Sequence, residues 1–298
     1  MTSLEGRTAI ITGSGRGLGR AHALLFSRLG ARVVVNDTGG GLDGDGSVRN
    51  AAQDVVDEIQ AAGGDAVAHF GSVSDWESAR DLVDLAVSTF GGLDILVNNA
   101  GILRDRMLVN MSEAEWDSVI DVHLKGHFSP LHHAAVYWRS ESKAGRTVDA
   151  SVVNTSSGSG LRGNPGQINY ASAKSGIAMM TLVAARELSR YGVRVNAIAP
   201  VARTRLTENT PGLGDRIEQQ EGFDKWAPEN VSPLVAWLAS PECQLSGEVF
   251  GVVGGSITRQ QCWTEQETFE SDHRWSIDEL KTALGHLPAG PSEFVFSA

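Results

Sequence analysis

Short apolar runs alternate with amphipathic segments along the whole chain. Thr8–Thr12 (TAIIT), Ala31–Asn36, Ala66–Phe70, Leu93–Val97, Ser151–Thr155, Val193–Ile198 and Val249–Val253 are continuous apolar stretches of strand length. Between them, apolar residues recur at helical spacing. Examples are Ala21, Leu24, Leu25 and Leu29, then Ala52, Val55, Val56 and Ile59 within residues 48–62. Ser74 reads as the N-cap of a helix reaching Phe90, with Glu77 completing a capping box. A helix from Ser112 runs through Leu124 towards Trp138, and Pro130 is expected to kink it. Tyr170–Tyr191 is a long helix whose apolar face includes Ile177, Met180, Val183, Ala184 and Leu188. The alternation predicts an α/β fold: one doubly wound, parallel, seven-stranded sheet of Rossmann type with helices on both faces. One domain is expected over residues 1–258, including a pocket-covering segment at 201–226, followed by a C-terminal extension at 259–298. In that extension Ser276 and Glu279 form a second capping-box pattern, opening a helix-like stretch to Leu287.

Composition narrows the classes of partner. The 298 residues are 41 % apolar and 20 % charged, ordinary usage for a globular domain. A formal net charge of −11 argues against nucleic acid, which needs clustered Lys and Arg, but leaves room for a local basic patch that binds a small anion. Cys243 and Cys262 form no CxxC or Cys/His pattern, so no metal site is expected. The start, MTSLEGRTAIITG, lacks a signal-peptide pattern, and no apolar run approaches the roughly 20 residues that span a bilayer. The C-terminal FVFSA is not a Ser-Lys-Leu address. Together these features lead to the expectation of a cytoplasmic protein with no membrane partner.

Two stretches carry chemistry. The first strand runs into Gly13-Ser14-Gly15-Arg16-Gly17-Leu18-Gly19 and then a helix. That context suits a phosphate cradle, in which glycines allow close backbone approach and the helix N-terminus faces a pyrophosphate; an ordinary glycine-rich turn is the plainer alternative. Asp37 ends the second strand, about 20 residues on, where a carboxylate can accept from both ribose hydroxyls of NAD and repel the 2′-phosphate of NADP. It could instead cap the following turn, and Arg16 could serve that phosphate, so NAD is favoured over NADP rather than alone. The glycine-rich loop Thr38–Ser47 lacks the full calcium-loop signature.

The second stretch is Ser151–Lys174. Tyr170 and Lys174 lie four apart and share a helix face. A cation near a phenol favours the phenolate and lowers the tyrosine pKa from its usual value of about 10. Ser157 offers a hydroxyl donor upstream. A general acid/base, a tuning cation and a donor suggest interconversion of an alcohol and a carbonyl. A non-catalytic dinucleotide sensor is the competing class, and the intact trio argues against it.

With Thr12-Gly13-xxx-Gly17-x-Gly19, Asn98-Asn99-Ala100-Gly101, Ser157 and Tyr170-xxx-Lys174 in order, the chain resembles the short-chain dehydrogenase/reductase family over roughly residues 4–258. The resemblance implies that Gly13, Gly17 and Gly19 line the cofactor pyrophosphate, that Arg16 and Leu18 also bind the cofactor, and that Asp37 holds the adenosine ribose. It implies that Ser72 and Val73 flank the adenine. Asn99, Ala100 and Gly101 would shape the nicotinamide side, and Pro200, Val201 and Thr204 would also bind the cofactor. Ser157 would polarise the substrate oxygen, Tyr170 exchange its proton, and Lys174 hold the nicotinamide ribose. Where many members have a relay asparagine, this chain reads Asp121-Val122-His123-Leu124. His123 either relays a proton or is a core histidine bonded to a backbone carbonyl.

The segments ILRDRML, DVHLKGHF, GNPGQINYASAK and APENVSPLVAWLAS, and the long loop after Asp37, look like one branch of the family. They resemble the 3-hydroxyacyl-CoA dehydrogenase module of the peroxisomal multifunctional enzyme of β-oxidation. That implies an acyl-CoA or steroid-like small-molecule substrate and a homodimer or homotetramer. A 3-oxoacyl-carrier-protein reductase using NADPH and a hydroxysteroid dehydrogenase are the alternatives. Gln167 would face the substrate. Arg104, Arg106, Arg162, Arg203 and Arg205 could meet coenzyme A phosphates, or be solvated and paired with nearby acids.

Overall fold

A computed structural model describes residues 3–39, 50–204, 207, 217–219, 221–261, 263–265 and 267–287. Most of the expected loop Thr38–Ser47, much of the segment 201–226, Arg205 and Cys262 lie outside the described residues. The chain divides into two compact units, Met1–Gln260 and Gln261–Ala298.

In the first unit the apolar runs form strands β1 (Thr8–Thr12), β2 (Arg32–Asn36), β3 (Ala66–His69), β4 (Ile95–Asn98), β5 (Ala150–Thr155), β6 (Val193–Val201) and β7 (Val249–Val253). An eighth strand, β8 (Ser256–Gln260), joins them, so the sheet has order β3-β2-β1-β4-β5-β6-β7-β8. All pairs are parallel except β7–β8. The eighth strand corrects the expected seven. It carries no apolar signal because nearly all of it is exposed, and the tight return that forms it uses Gly254 at φ +55°. An edge strand of this kind needs only backbone pairing.

The helices are α1 (Gly17–Arg28), α2 (Asn50–Ala61), α3 (Trp76–Phe90), α4 (Glu113–Ile120), α5 (Gly126–Lys143), α6 (Gly158–Arg162), α7 (Ile168–Leu188) and α8 (Ser232–Ala239). The strict alternation of strand side chains splits the core in two. Ala9, Ile11, Val33, Val35, Ile95 and Val97 pack with Phe26 of α1, Val55 and Ile59 of α2, and Leu238 of α8. Ile10, Val34, Leu96 and Val152 pack on the other face with Leu82 of α3, Leu131 and Trp138 of α5, and Leu188 of α7. Trp138 is almost fully buried and its indole donates to Leu93 O at 2.6 Å, so its polar edge costs nothing inside.

Three local expectations change. The cap of α3 is Asp75, whose carboxylate accepts from Ser78 N at 2.7 Å, because the Ser74 hydroxyl pairs with Ser72. Pro130 sits inside α5 without ending it; the irregularity falls upstream, in a π-helical turn at Asp121–Lys125 that carries His123. The Ser/Gly run after β5 contains the short helix α6, too brief and too polar to show periodicity. Ser112 caps α4 with Glu115 in a full capping box. In the second unit Ser276 and Glu279 do the same for α9 (Ile277–Leu284).

The site follows from the topology. The strand order reverses between β1 and β4, and the crevice outside their carboxyl ends is where open α/β sheets bind ligands. Gly13 follows β1 and Asn99 follows β4.

Candidate active site

The glycine turn leaves β1 and enters α1 without a capping side chain and without an acidic residue in the first turn. The first N–H groups of α1 and the positive end of its dipole therefore face the crevice without an acidic partner from the helix's own first turn or cap. The glycines have different duties. A Cβ on Gly13, at φ +63°, would lie 2.7 Å from Ala100 Cα, and one on Gly19 would lie 2.6 Å from Asn99 Nδ2 and strike Gly13 O. These two allow the turn to press against the segment after β4. Gly17, at φ +54° and exposed, opens to the crevice; a Cβ there would meet only Thr204, with Cγ2 at 3.5 Å.

Asn98-Asn99-Ala100-Gly101 reinforces that turn. Thr12 Oγ1 accepts from Asn99 N at 2.9 Å and Ala100 N at 3.1 Å, and Asn99 Nδ2 donates to Thr12 O at 2.9 Å. The Asn99 side chain is thus spent on the glycine turn. Asn98 Nδ2 donates to Asn154 Oδ1 at 3.0 Å, and Asn154 Nδ2 to Thr181 Oγ1 at 3.0 Å, a buried polar line from β4 through β5 to α7. Thr12 was a legible clue, as a hydroxyl closing an apolar strand just before glycine.

The Asp37 carboxylate ties down backbone on both sides of it. Oδ2 accepts from Gly15 N at 2.9 Å and Oδ1 from Gly39 N at 2.8 Å. It caps the following turn and also stands beside the glycine turn, fixed at the end of β2. Val73 is buried and packs against Gly126 of α5, while Ser72 Oγ pairs with Ser74 Oγ at 2.9 Å. Pro200 and Val201 are the last residues of β6.

Ser157, Tyr170 and Lys174 come together at the carboxyl end of β5. Ser157 is the N-cap of α6, and its Oγ accepts from Ser159 N at 3.2 Å. The Tyr170 phenol hydrogen-bonds to Ser157, and Lys174 Nζ lies 5.6 Å from the tyrosine ring centre. Lys174 is buried and donates to Thr155 O at 2.6 Å. That bond takes one of three ammonium protons and leaves donor capacity for a ligand.

The electrostatics reverse one expectation. The phenol pKa is pushed up to about 12, not down: burial dominates, the Ser157 hydrogen bond opposes it, and the Asp105 charge adds to the rise. Burial also depresses Lys174, to about 7. Spacing alone brings a cation to the phenol, but the same burial that positions both groups penalises charge on either.

Lys174 gives a pH prediction. In the unfolded chain its amine holds a proton up to about pH 10. Between its folded value near 7 and that point, the unfolded chain binds more protons, so this group makes stability rise with pH. The melting temperature of the cofactor-free protein should therefore gain on that of Lys174→Met as pH climbs from about 7 to about 10. A constant gap between the two would show that the buried amine does not titrate there.

His123 is buried, with Nε2 2.7 Å from Ile102 O, and its pKa falls well below the usual value through burial and then the Lys174 charge. The ring is neutral and bonded to a backbone carbonyl. It also stands edge-on to Tyr170, centres 5.1 Å apart, with Nδ1 lacking a partner among the described residues. Gly101 makes room for it, since a Cβ there would run into the imidazole.

The residues expected to meet substrate are placed differently from one another. Gln167 is buried and both ends of its amide are engaged: Nε2 donates to Asp105 Oδ2 at 2.7 Å, and Oε1 accepts from Ser159 Oγ at 2.9 Å. Arg162 ends α6, exposed. Arg104 is half-buried and donates to Leu103 O at 2.9 Å. Arg106 pairs with Glu115 at 2.9 Å and Arg203 with Asp224 at 2.5 Å, as the acid-paired alternative had it. Sequence reasoning passed over Asp105 and Asn169. Asn169 is buried and donates to Arg104 O and Glu115 O, clamping the start of α7. Neither stood out, since nothing local marks a polar residue as buried. Among the described residues no group of three His, Cys, Asp or Glu could hold a metal ion, and no helix is long and apolar enough to cross a membrane.

Comparison with known proteins agrees with this geometry. The short chain dehydrogenase family profile matches residues 7–211. The hydroxyacyl-CoA dehydrogenase ChsB1 of Mycobacterium tuberculosis is 47 % identical over 297 residues, 97 % of this chain and 90 % of that protein. Peroxisomal multifunctional enzyme type 2 of Drosophila melanogaster is 44 % identical over 255 residues, covering 86 % of this chain and 40 % of that longer protein. A crystal structure of a short chain dehydrogenase from Mycobacterium avium superposes with a TM-score of 0.85 at 55 % identity, covering 95 % of this chain and 94 % of that one. The chain belongs to the short-chain dehydrogenase/reductase family; it is an oxidoreductase that binds a nicotinamide cofactor, NAD or NADP.

Proposed function

We propose that this short-chain dehydrogenase uses NAD to interconvert a 3-hydroxyacyl-CoA thioester, fatty or steroid-derived, and its 3-oxo form. The observation that carries the chemistry is the Tyr170 phenol bonded to Ser157, with Lys174 Nζ 5.6 Å from its ring. The substrate class rests on similarity to a hydroxyacyl-CoA dehydrogenase across 97 % of the chain. The carrier-protein alternative has weaker similarity behind it, 37 % identity to a 3-oxoacyl-[acyl-carrier-protein] reductase over 85 % of the chain.

The residues fit the cofactor. The uncapped N-terminus of α1 and the open Gly17 suit the pyrophosphate, Asp37 the adenosine ribose, and the free donors of Lys174 the nicotinamide ribose. When bound, the nicotinamide supplies a hydride acceptor and, oxidised, a positive charge. The chain's own groups handle the proton. Ser157 Oγ has one lone pair taken by Ser159 N, and its O–H, which favours the ionised Tyr170 phenol in the free site, turns to donate to the substrate oxygen. Tyr170 Oη takes the hydroxyl proton as the carbon gives up hydride, and returns it in the reverse direction. With the phenol pKa near 12 before loading, ionisation needs added positive charge, from protonated Lys174 and the oxidised cofactor together. His123 borders the phenol as a neutral ring able to pass a proton onward. Arg104 and Arg162 are the candidates for coenzyme A phosphates. Exposed Phe128 and Val136 on α5 and Met179 and Val183 on α7 support self-association as a homodimer or homotetramer.

Initial rates with hydroxyacyl-CoA thioesters against free hydroxysteroids, each with NAD and NADP, test the reading. A clear preference for the thioesters with NAD supports it; indifference to the coenzyme A moiety overturns the substrate class. The cofactor preference has its own test. Asp37→Ala should raise kcat/KM for NADP relative to NAD by about tenfold, the equivalent of about 1.4 kcal/mol. An unchanged ratio would mean that Asp37 only caps its turn.

A further inference from the structure

We propose that Asp105 and Gln167 act as a positioning pair that holds the Ser157 hydroxyl in its working orientation, through the turn formed by Ser157, Gly158 and Ser159. This rests on the dehydrogenase reading above and adds residues that do not touch the reacting atoms.

The hydrogen bonds run in one direction. An ionised carboxylate can only accept, so Asp105 Oδ2, 2.7 Å from the Gln167 amide, requires the NH2 end to face it. The carbonyl end must then face the other way, where Oε1 accepts from Ser159 Oγ at 2.9 Å and Asn164 Nδ2 at 2.8 Å. With its hydroxyl committed there, Ser159 presents its backbone N–H to Ser157 Oγ at 3.2 Å. That bond takes a lone pair of Ser157 and leaves its proton to donate. Gln167 is 5 % exposed, so water cannot substitute freely for these partners. The framework is tied from outside by Arg106 N donating to Gly166 O at 2.7 Å and a parallel bridge between Arg106 and Gln167.

A carboxylate here has a cost. Asp105 is half-buried, its Oδ1 is buried without a partner among the described residues, and its charge opposes ionisation of Tyr170. The groups that face the phenol are Lys174 from its own helix, His123 from the π-helical turn, Ser157 from the end of β5 and Asp105 from the segment after β4. Among the described residues only Asp105 brings negative charge. An asparagine would remove that charge but could turn either end to Gln167, and the direction of the network would be lost.

Asp105→Asn, Gln167→Ala and the double variant test the pairing, with NADH binding and melting temperature as controls for folding. Each single variant should lower kcat by about tenfold, with KM for the thioester within about twofold, and the double should lose no more than the worse single. Asp105→Asn should also move the pH limb of alcohol oxidation to lower pH, whereas Gln167→Ala should leave it in place. Losses confined to KM would make Gln167 a substrate contact and overturn the proposal, as would losses that multiply in the double variant or a limb unmoved in Asp105→Asn. Tyr170→Phe in the same panel separates the two levels. If it keeps turnover, the proton-transfer role of Tyr170 beside Ser157 fails and takes the pairing with it; if it is dead while the pair behaves independently, the pairing alone fails.

Discussion

Tyr170→Phe should lose turnover by about 10²–10⁴-fold while binding NADH almost as tightly as the parent protein. The loss corresponds to about 3–5 kcal/mol of transition-state stabilisation. The substitution removes one oxygen, whose partner in the protein is Ser157, and leaves the ring packed edge-on to His123 and beside Lys174. The glycine turn and Asp37, proposed to hold the cofactor, are untouched. Fluorescence titration with NADH beside steady-state rates in both directions checks this. The pH dependence assigned to the phenol should vanish as well. Near-normal turnover would mean that another group carries the proton.

The second large effect belongs to Gly19→Ala. Its Cβ would lie 2.6 Å from Asn99 Nδ2 and 2.8 Å from Ser14 Cα, and would strike the Gly13 carbonyl. Two of these are backbone, and Asn99 is held by Thr12 O and Gly13 O, so none can yield cheaply. Overpacking of this kind costs about 1–3 kcal/mol or more, a fall in melting temperature of several degrees. The N-terminus of α1 would be pushed off its station, and NADH affinity should fall by more than about tenfold, or about 1.4 kcal/mol. Gly17→Ala is the contrast. Its Cβ has room at 3.5 Å from Thr204, leaving mainly the strain of φ +54°, about 1–2 kcal/mol. Equal thermal losses in the two variants would contradict the division of labour between packing glycines and the open one.

The elements were legible because each announces itself locally. Apolar runs of strand length and helical spacing of Val55, Val56 and Ile59 mark periodic structure, and periodicity is a short-range property. The caps were half legible. Ser276 forms the box its sequence suggests, but Ser74 yields to Asp75 because Ser72 takes its hydroxyl. β8 and α6 were silent, one exposed on most of its length and the other five residues long.

By itself the sequence determined the alternation of strands and helices, the glycine turn between the first strand and its helix, and the placing of Tyr170 and Lys174 on one helix face. Each depends on spacing along one strand, turn or helix. Only the tertiary structure decided that Asn99 serves the glycine turn, that Gln167 is clasped by Asp105 and Ser159, and that the phenol is harder to ionise than free tyrosine. These depend on which distant segments meet and on how much water their meeting removes. Hydrogen-bond partners and desolvation are set by that packing, and neither is written in the spacing of residues along the chain.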